Sequence, residues 1–437
     1  MAVATHEHVE PRVLARHEHS LSRKHISVNA LKVLYRLHRS RYLSYLVGGG
    51  VRDLLLQGRP KDFDVATNAR PDEIRRLFRN SRVIGRRFRL VHVFFKDEVV
   101  EVSTFRASPE PPEGPEDAEV PEEEVGDVVG EDPTYGTPAE DARRRDFTVN
   151  ALFYSIADFS VIDYVGGIDD LERRILRTIG DPEQRFGEDP VRMMRALEYS
   201  VRLGFALDPL TERALGRCCD LIGETAPARL IYELIEGLHS GHAAGIWEAW
   251  TRHGLSRAAF PEVVPDPRIR TVLDCIDRRV GAGERWPDAS LLGSLFLPRF
   301  VDTVESLCGE RSRLSNPELL ERLAEMLEPV GARMHLPHHA LHLIRHGLFT
   351  ITKLRRVPER GRQVIRLARQ DYFPVAWDLF SLGAESGLLP RDAWAAWSRA
   401  LAQVRGGALG DDDDLGVDPA RRTRRRRRRR PGARRRT

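Results

Sequence analysis

The stretch LVGGGVRDLLLQGRPKDFDVATNA (residues 46–69) decides how this chain folds. Its first half runs from an apolar strand, YLSYLV (42–47), through three glycines (48–50) into a helix, VRDLLLQG (51–58). Glycines let backbone N–H groups approach an anion closely, and a helix start adds a favourable dipole. Gly48 and Gly49 are therefore candidate phosphate contacts, with Arg52 as a candidate clamp one turn into the helix. No GK[ST] follows and the spacing is not GxGxxG, so neither a Walker A loop nor a dinucleotide fingerprint is present. The second half, DFDVA (62–66), alternates like a strand, with Phe63 and Val65 opposite Asp62 and Asp64. Two carboxylates at i and i+2 share a face and repel unless a cation lies between them. Mg²⁺ takes carboxylate oxygens of this kind, and beside a phosphate-binding turn the pair points to metal-assisted nucleotidyl transfer.

Outward from this stretch, VNALKVLYRLHRS (28–40) spaces its apolar residues as a helix, and PDEIRRLFRN (71–80) is a helix with Pro in its first turn. RLVHVFF (89–95) and VVEVSTF (99–105) flank Lys96-Asp97-Glu98 as a hairpin. Glu101 lies on the second of these strands, and Asp146 opens the next ordered segment, RRRDFTVNALF. Either completes a carboxylate triad with Asp62 and Asp64. From about residue 180 the pattern is helical almost throughout. The fold class is thus α+β: a small mixed N-terminal sheet with helices, then an all-α portion.

The net charge of +4 hides opposed runs. Residues 421–437 hold twelve Arg and no acid, and residues 107–141 hold thirteen acids and no base. The acidic, Pro-rich insert has too few large apolar residues for a core of its own, and 405–437 is low-complexity, so both are expected to be disordered. The His-rich residues 1–24 are expected to form a mobile arm. No apolar run approaches the roughly 20 residues of a membrane span, and the opening residues carry no apolar signal segment. Four cysteines without a CxxC pair argue against a disulfide framework or thiolate zinc site. A cytoplasmic location is the expectation, with no membrane partner.

With these residues assembled, the sequence resembles class II nucleotidyltransferases of the DNA polymerase beta superfamily, which includes bacterial poly(A) polymerases and CCA-adding tRNA nucleotidyltransferases. The resemblance is carried by 46–69, RRDFTVNALFY (144–154), DYVGGIDDLERRILRTIGDPEQRFGEDPVRMMRALEY (163–199) and PARL (227–230). It implies a nucleotidyltransferase head over 25–180, a nucleotide-reading helical neck over 181–240, an RNA-binding body over 241–404 and an Arg-rich tail. It further implies that Asp62 and Asp64 hold two Mg²⁺ ions, that Asp146 belongs to the catalytic centre, and that Gly49, Arg52 and Arg145 lie at the nucleotide. Asp189 and Arg192 would read the base, with Arg195 a neighbouring contact. The family often has Arg where this chain has Glu198.

VIGRRFRLVHV (83–93) resembles the GRRFxLxHV element of the poly(A) polymerase branch, and 362–387 resembles that branch's tail region. The implied activity is template-independent transfer of AMP from ATP to RNA 3′ ends. A mobile cationic tail suits an enzyme accepting many RNA ends, because phosphate neutralisation is sequence-independent. RNA and ATP are the expected partners, with RNA-decay proteins a further, unspecified class. The rival readings are a CCA-adding or A-adding tRNA enzyme and a non-catalytic RNA-binding protein. Outside the motifs, His338, His342 and His346 form an i, i+4, i+8 series, read as a polar helix face or one touching RNA phosphates.

Overall fold

The computed structural model describes residues 10–85, 89–107, 135–310, 315–359 and 361–405. The chain divides into two compact units, Met1–Arg192 with Leu203–Cys218, and Met193–Arg202 with Cys219–Thr437. The first contains the eight-stranded sheet, and the second is helical throughout its described residues.

The sheet is built from β1 (Arg12–Leu14), β2 (Ser44–Val47), β3 (Asp64–Thr67), β4 (Ser81–Ile84), β5 (Leu90–Phe94), β6 (Val99–Thr104), β7 (Leu152–Ser155) and β8 (Val161–Asp163). Their order is β1-β8-β7-β2-β3-β6-β5-β4. All neighbours are antiparallel except β3 and β6, which run parallel with Val65 opposite Val102. Helix α1 (Val28–Arg39) packs on β2 and β3 through Ala30, Val33, Leu34 and Leu37, an i, i+3, i+4, i+7 stripe that is fully buried. Ser27 caps it by accepting from the Ala30 N–H at 2.9 Å. A second apolar layer joins Val47, Ala66, Phe105 and Phe153 to Tyr45 and Tyr164. Edge-to-face rings such as Phe153 and Tyr164, 5.7 Å apart, fill that layer.

Three sequence expectations need correction. The segment 1–24 is not wholly an arm: β1 pairs with β8, Leu21 is buried, and the His19 ring meets the Phe159 carbonyl at 2.9 Å. One short strand and one buried leucine give almost no periodicity to read. The acidic insert is also narrower than 107–141, because α4 (Pro138–Arg144) begins inside it. Thr137 and Glu140 form a reciprocal capping box with Pro at the first helical position, a T-x-x-E signal that marks a helix start. The backbone bridge between Arg106 and Tyr135 brings together the two ends of the remaining loop. Residues 108–134, the tail beyond 405, and residues 86–88 of the GRRF element lie outside the described residues. Third, the strand expected over 62–66 starts only at Asp64, which leaves Asp62 in the preceding loop.

In the rest of this unit, α2 is Gly49–Leu55, α3 Pro71–Leu77, α5 Gly167–Arg173 and α6 Pro182–Glu188; of α7 (Val191–Leu203), Met193–Arg202 belong to the second unit. Among the described residues no helix is long and apolar enough to cross a membrane. The four cysteines are free thiols.

Candidate active site

The site forms where β2 ends. Gly48 turns the chain with φ +74° and ψ −148°, a conformation open to glycine and strained for any side chain. A Cβ there would lie 3.4 Å from Arg145 Nη1 and 3.6 Å from Asp64 Oδ2. The turn therefore sits directly against a guanidinium and a carboxylate. Gly49 makes room in the same way, since its Cβ would lie 3.3 Å from Arg52 Nη2.

Asp64 opens β3 opposite Val47, and the parallel register that pairs Val65 with Val102 sets Asp64 alongside Glu101 on β6. Its carboxyl is pushed up to about 6, first by burial and then by the negative charge of Glu101, with Asp62 adding to the shift and Arg145 opposing it. The structure thus brings Asp62, Asp64 and Glu101 into one electrostatic group. Glu101 is about half exposed, and its Oε1 is 3.1 Å from His92 Nε2 on the neighbouring strand.

Asp146 is placed differently. It is buried, and Oδ1 accepts from the Phe147 N–H at 2.8 Å and from Asn150 Nδ2 at 3.3 Å. Its charge also acts on Arg185 of α6, where it opposes the lowering caused by burial. Arg185 Nη2 donates to the carbonyls of Arg144 and Arg145 at 2.7 and 2.9 Å, which fixes the chain entering Asp146. Of the two acids offered as the third carboxylate, Glu101 is the one set beside Asp64, while Asp146 accepts from Phe147 and Asn150.

Arg52 is also turned inward. It is 3% exposed, donates from Nη1 to Asn150 Oδ1 at 2.6 Å, and pairs with Asp53 Oδ1 at 2.7 Å. Its guanidinium lies against the glycine turn, and Arg52, Asn150 and Asp146 form a buried chain that ties this turn to the segment after α4. Arg145 is partly exposed: it pairs with Asp141 at 3.0 Å, lies 5.4 Å from the Phe153 ring centroid, and faces Gly48. Asn150, Asp141 and Arg185 were not singled out in the sequence. Asn150 follows RRDF by a short 3-10 turn, and only the fold turns it toward Arg52.

Asp189 follows α6 as its C-cap, and its carbonyl accepts from the Arg192 N–H at 3.1 Å. Arg192 Nη1 donates to the Arg185 carbonyl at 2.9 Å and to Glu188 at 3.1 Å. Arg195 falls in the second unit, where it donates to the Tyr199 hydroxyl at 3.2 Å. Glu198 is 5% exposed and pairs with Arg202 at 2.6 Å, so the acid at this position is a packed ion-pair partner.

Comparison with known proteins agrees with this architecture. Residues 44–177 match the poly A polymerase head domain family, and 204–266 match the probable RNA and SrmB-binding site of polymerase A. Poly(A) polymerase I of Salmonella typhi is 37% identical over 427 residues, covering 94% of this chain and 90% of that protein. A CCA-adding enzyme of Bacillus velezensis is 36% identical over only 219 residues, 49% of this chain and 52% of its own. The crystal structure of the Bacillus stearothermophilus CCA-adding enzyme in complex with CTP superposes with a TM-score of 0.58 at 26% identity, over 86% of this chain and 82% of that one. The shared fold reaches both branches, but the long sequence match reaches one, and the chain belongs to the poly(A) polymerase family of class II nucleotidyltransferases.

Proposed function

We propose that this chain is a template-independent polynucleotide adenylyltransferase that transfers AMP from ATP to RNA 3′ ends and releases pyrophosphate. The observation that carries the reading is near full-length kinship with poly(A) polymerase I, against half-length kinship with CCA-adding enzymes. A cytoplasmic setting supplies both ATP and RNA ends. The segment 204–266 is the candidate region for RNA and for protein partners in RNA decay.

Two Mg²⁺ ions fit the donor set at the mouth of β3. Asp64 lies in a crowd of carboxylates that Arg145 does not neutralise, as the rise of its carboxyl to about 6 records. Among the described residues no three metal-ligating side chains converge closely enough to hold an ion unaided. Mg²⁺ suits that arrangement, because it commonly takes one or two carboxylates and completes its shell with water and substrate phosphates. When bound, the metal supplies Lewis-acid activation of the attacking 3′-hydroxyl and charge neutralisation on the leaving pyrophosphate. Asp62 and Asp64 would hold the metal, with Glu101 as the third acid.

The chain's own residues do the rest. Gly48 gives the triphosphate a close approach to the backbone, and Arg145 supplies positive charge beside it. Arg52 and Asn150 hold that turn in place, with Asp146 behind them. Asp189 and Arg192 read the base: a carboxylate accepts from the adenine N6 amino group while a guanidinium donates to N1. Guanine and uracil present the opposite polarity on this edge and are rejected, because buried groups would be left unpaired. Cytosine presents the same polarity as adenine, so excluding CTP depends on reach rather than on hydrogen-bond pattern.

The test is extension of a generic RNA with each NTP supplied separately. Long extension with ATP alone is expected, and Asp62→Ala or Asp64→Ala should abolish it while RNA binding persists. Addition of a defined CCA end to a tRNA lacking it, without ATP tailing of generic RNA, would overturn the reading.

A further inference from the structure

The helical unit carries a concentrated positive charge that the transfer reaction does not use. Residues 338–372 hold eight Lys and Arg, two Asp and Glu, and four His, in a chain whose first 420 residues are net acidic. Lys353 on the helix His338–Leu354 and Arg366 on the helix Gly361–Ala368 lie close enough for their charges to interact. Burial, and then Arg366, lowers the Lys353 amine from its ordinary value. Like charges held together in this way are relieved by an anion placed between them.

Beside these cations the rings form a ladder. His342 and His346 are one helical turn apart, with centroids separated by 4.4 Å. His346 stacks on Tyr372 at 5.4 Å with planes 26° apart. All three rings are partly exposed. His342 also borders a groove of about 430 Å³ whose walls include Leu327, Leu336, Leu341 and Arg345. Arg345 Nε is buried there without a hydrogen-bond partner, while its Nη1 lies 3.9 Å from Glu328, which also lines the groove. The volume lies within the range of about 300–1,000 Å³ that takes a small ligand, and an apolar floor with a polar rim suits a nucleobase. Among the described residues no three metal ligands converge, which sets this histidine group apart from a metal centre.

Proteins that bind single-stranded nucleic acid without reading its sequence pair a cationic track with aromatic platforms. We infer that the face formed by His342, His346, Tyr372, Arg345, Lys353 and Arg366 is a second RNA site, which stacks bases of the RNA body on the ring ladder and neutralises their phosphates. The inference rests on the reading that the chain acts on RNA. An acidic protein partner would answer the charge but would have no need of the rings and the base-sized groove.

The experiment measures binding of the full chain to a fluorescent 20-nucleotide oligo(A) by anisotropy across a KCl series. In parallel, AMP incorporation is measured on a trinucleotide primer, which offers few bases and phosphates beyond the reacting end. The double variant Lys353→Gln/Arg366→Gln should weaken binding and lower the log–log salt slope by about 1.4, the share of two phosphates on a single strand. Tyr372→Leu should weaken binding roughly fivefold or more with the slope unchanged, as loss of stacking does. Arg322→Gln, an exposed charge paired with Glu325 on another helix, should change neither. Trinucleotide extension should stay at the wild-type level in all three variants. If Lys353→Gln/Arg366→Gln keeps the wild-type affinity and slope, or if Arg322→Gln matches its loss, the second site is wrong. Failure of the wild-type chain to extend the trinucleotide would instead count against the proposed activity.

Discussion

Asp64 is held at a cost to the fold, and that cost can be measured. Its carboxyl titrates near 6 in the folded chain against an ordinary value of 3.8, because burial and the charges of Glu101 and Asp62 disfavour the ionised form. The unfolded chain therefore releases this proton at lower pH than the folded chain. Stability contributed by the protonated form is present below about pH 4, declines as pH rises toward 6, and stays lost above it. A shift of about two units corresponds to roughly 3 kcal/mol at pH 8, an upper bound because water screens a partly exposed group. Asp64→Asn keeps the shape and removes the charge. It should abolish AMP incorporation and still stabilise the sheet by about 1.5–3 kcal/mol at pH 8 in chelator, with the gain roughly halved at pH 5. All six tryptophans lie beyond residue 246, so indole fluorescence does not follow this region. Hydrogen exchange of peptides spanning β2 and β3 does, and comparing wild type with variant at one pH cancels intrinsic exchange rates. Added Mg²⁺ should raise protection in the wild type and leave Asp64→Asn unchanged. Equal or lower protection in the variant at pH 8, or a gap that does not shrink at pH 5, would refute the electrostatic account.

Three other outcomes follow from the same geometry. Asn150→Ala removes the acceptor for Arg52 Nη1 and the donor to Asp146; it should lower stability by about 1–3 kcal/mol and reduce kcat more than it raises KM for ATP, as read by thermal melts and steady-state kinetics. Glu198→Arg, which restores the residue frequent in the family, breaks the 2.6 Å pair with Arg202 and sets two cations together; tryptophan-monitored urea unfolding should show a loss of about 2–4 kcal/mol. Glu101→Gln should raise the Mg²⁺ concentration needed for half-maximal activity, whereas Asp146→Asn should lower activity with the Mg²⁺ requirement unchanged; the reverse pattern in a metal titration would return Asp146 to the metal.

Much of the head was legible because its elements carry local signals. The stripe Ala30, Val33, Leu34, Leu37 specifies α1 by spacing alone, and the glycine run after YLSYLV specifies a strand-to-helix turn. Weak local signals were missed for an equally local reason. β1 is three residues long, and the Thr137–Glu140 capping box sits inside a composition that reads as disorder. Four of the six tryptophans, Trp247, Trp250, Trp286 and Trp397, are buried in the helical unit, where apolar periodicity is the signal that places them.

Which acid stands beside Asp64 was not legible, and the reason is topological. Alternation tells which face of a strand a residue occupies, never which strand lies beside it. The hairpin pattern of 89–105 correctly joins β5 to β6, and read alone it leaves the other edge of β6 unassigned. Only the parallel pairing of β3 with β6, across an intervening helix and two strands, carries Glu101 to Asp64. Asp146, by contrast, stands in a motif that announces importance without saying of what kind. Its carboxylate holds Asn150, Asn150 holds Arg52, and Arg52 packs against the glycine turn. A carboxylate so placed acts on the glycine turn through its neighbours, and substitution by Ala alone would not separate that role from metal ligation.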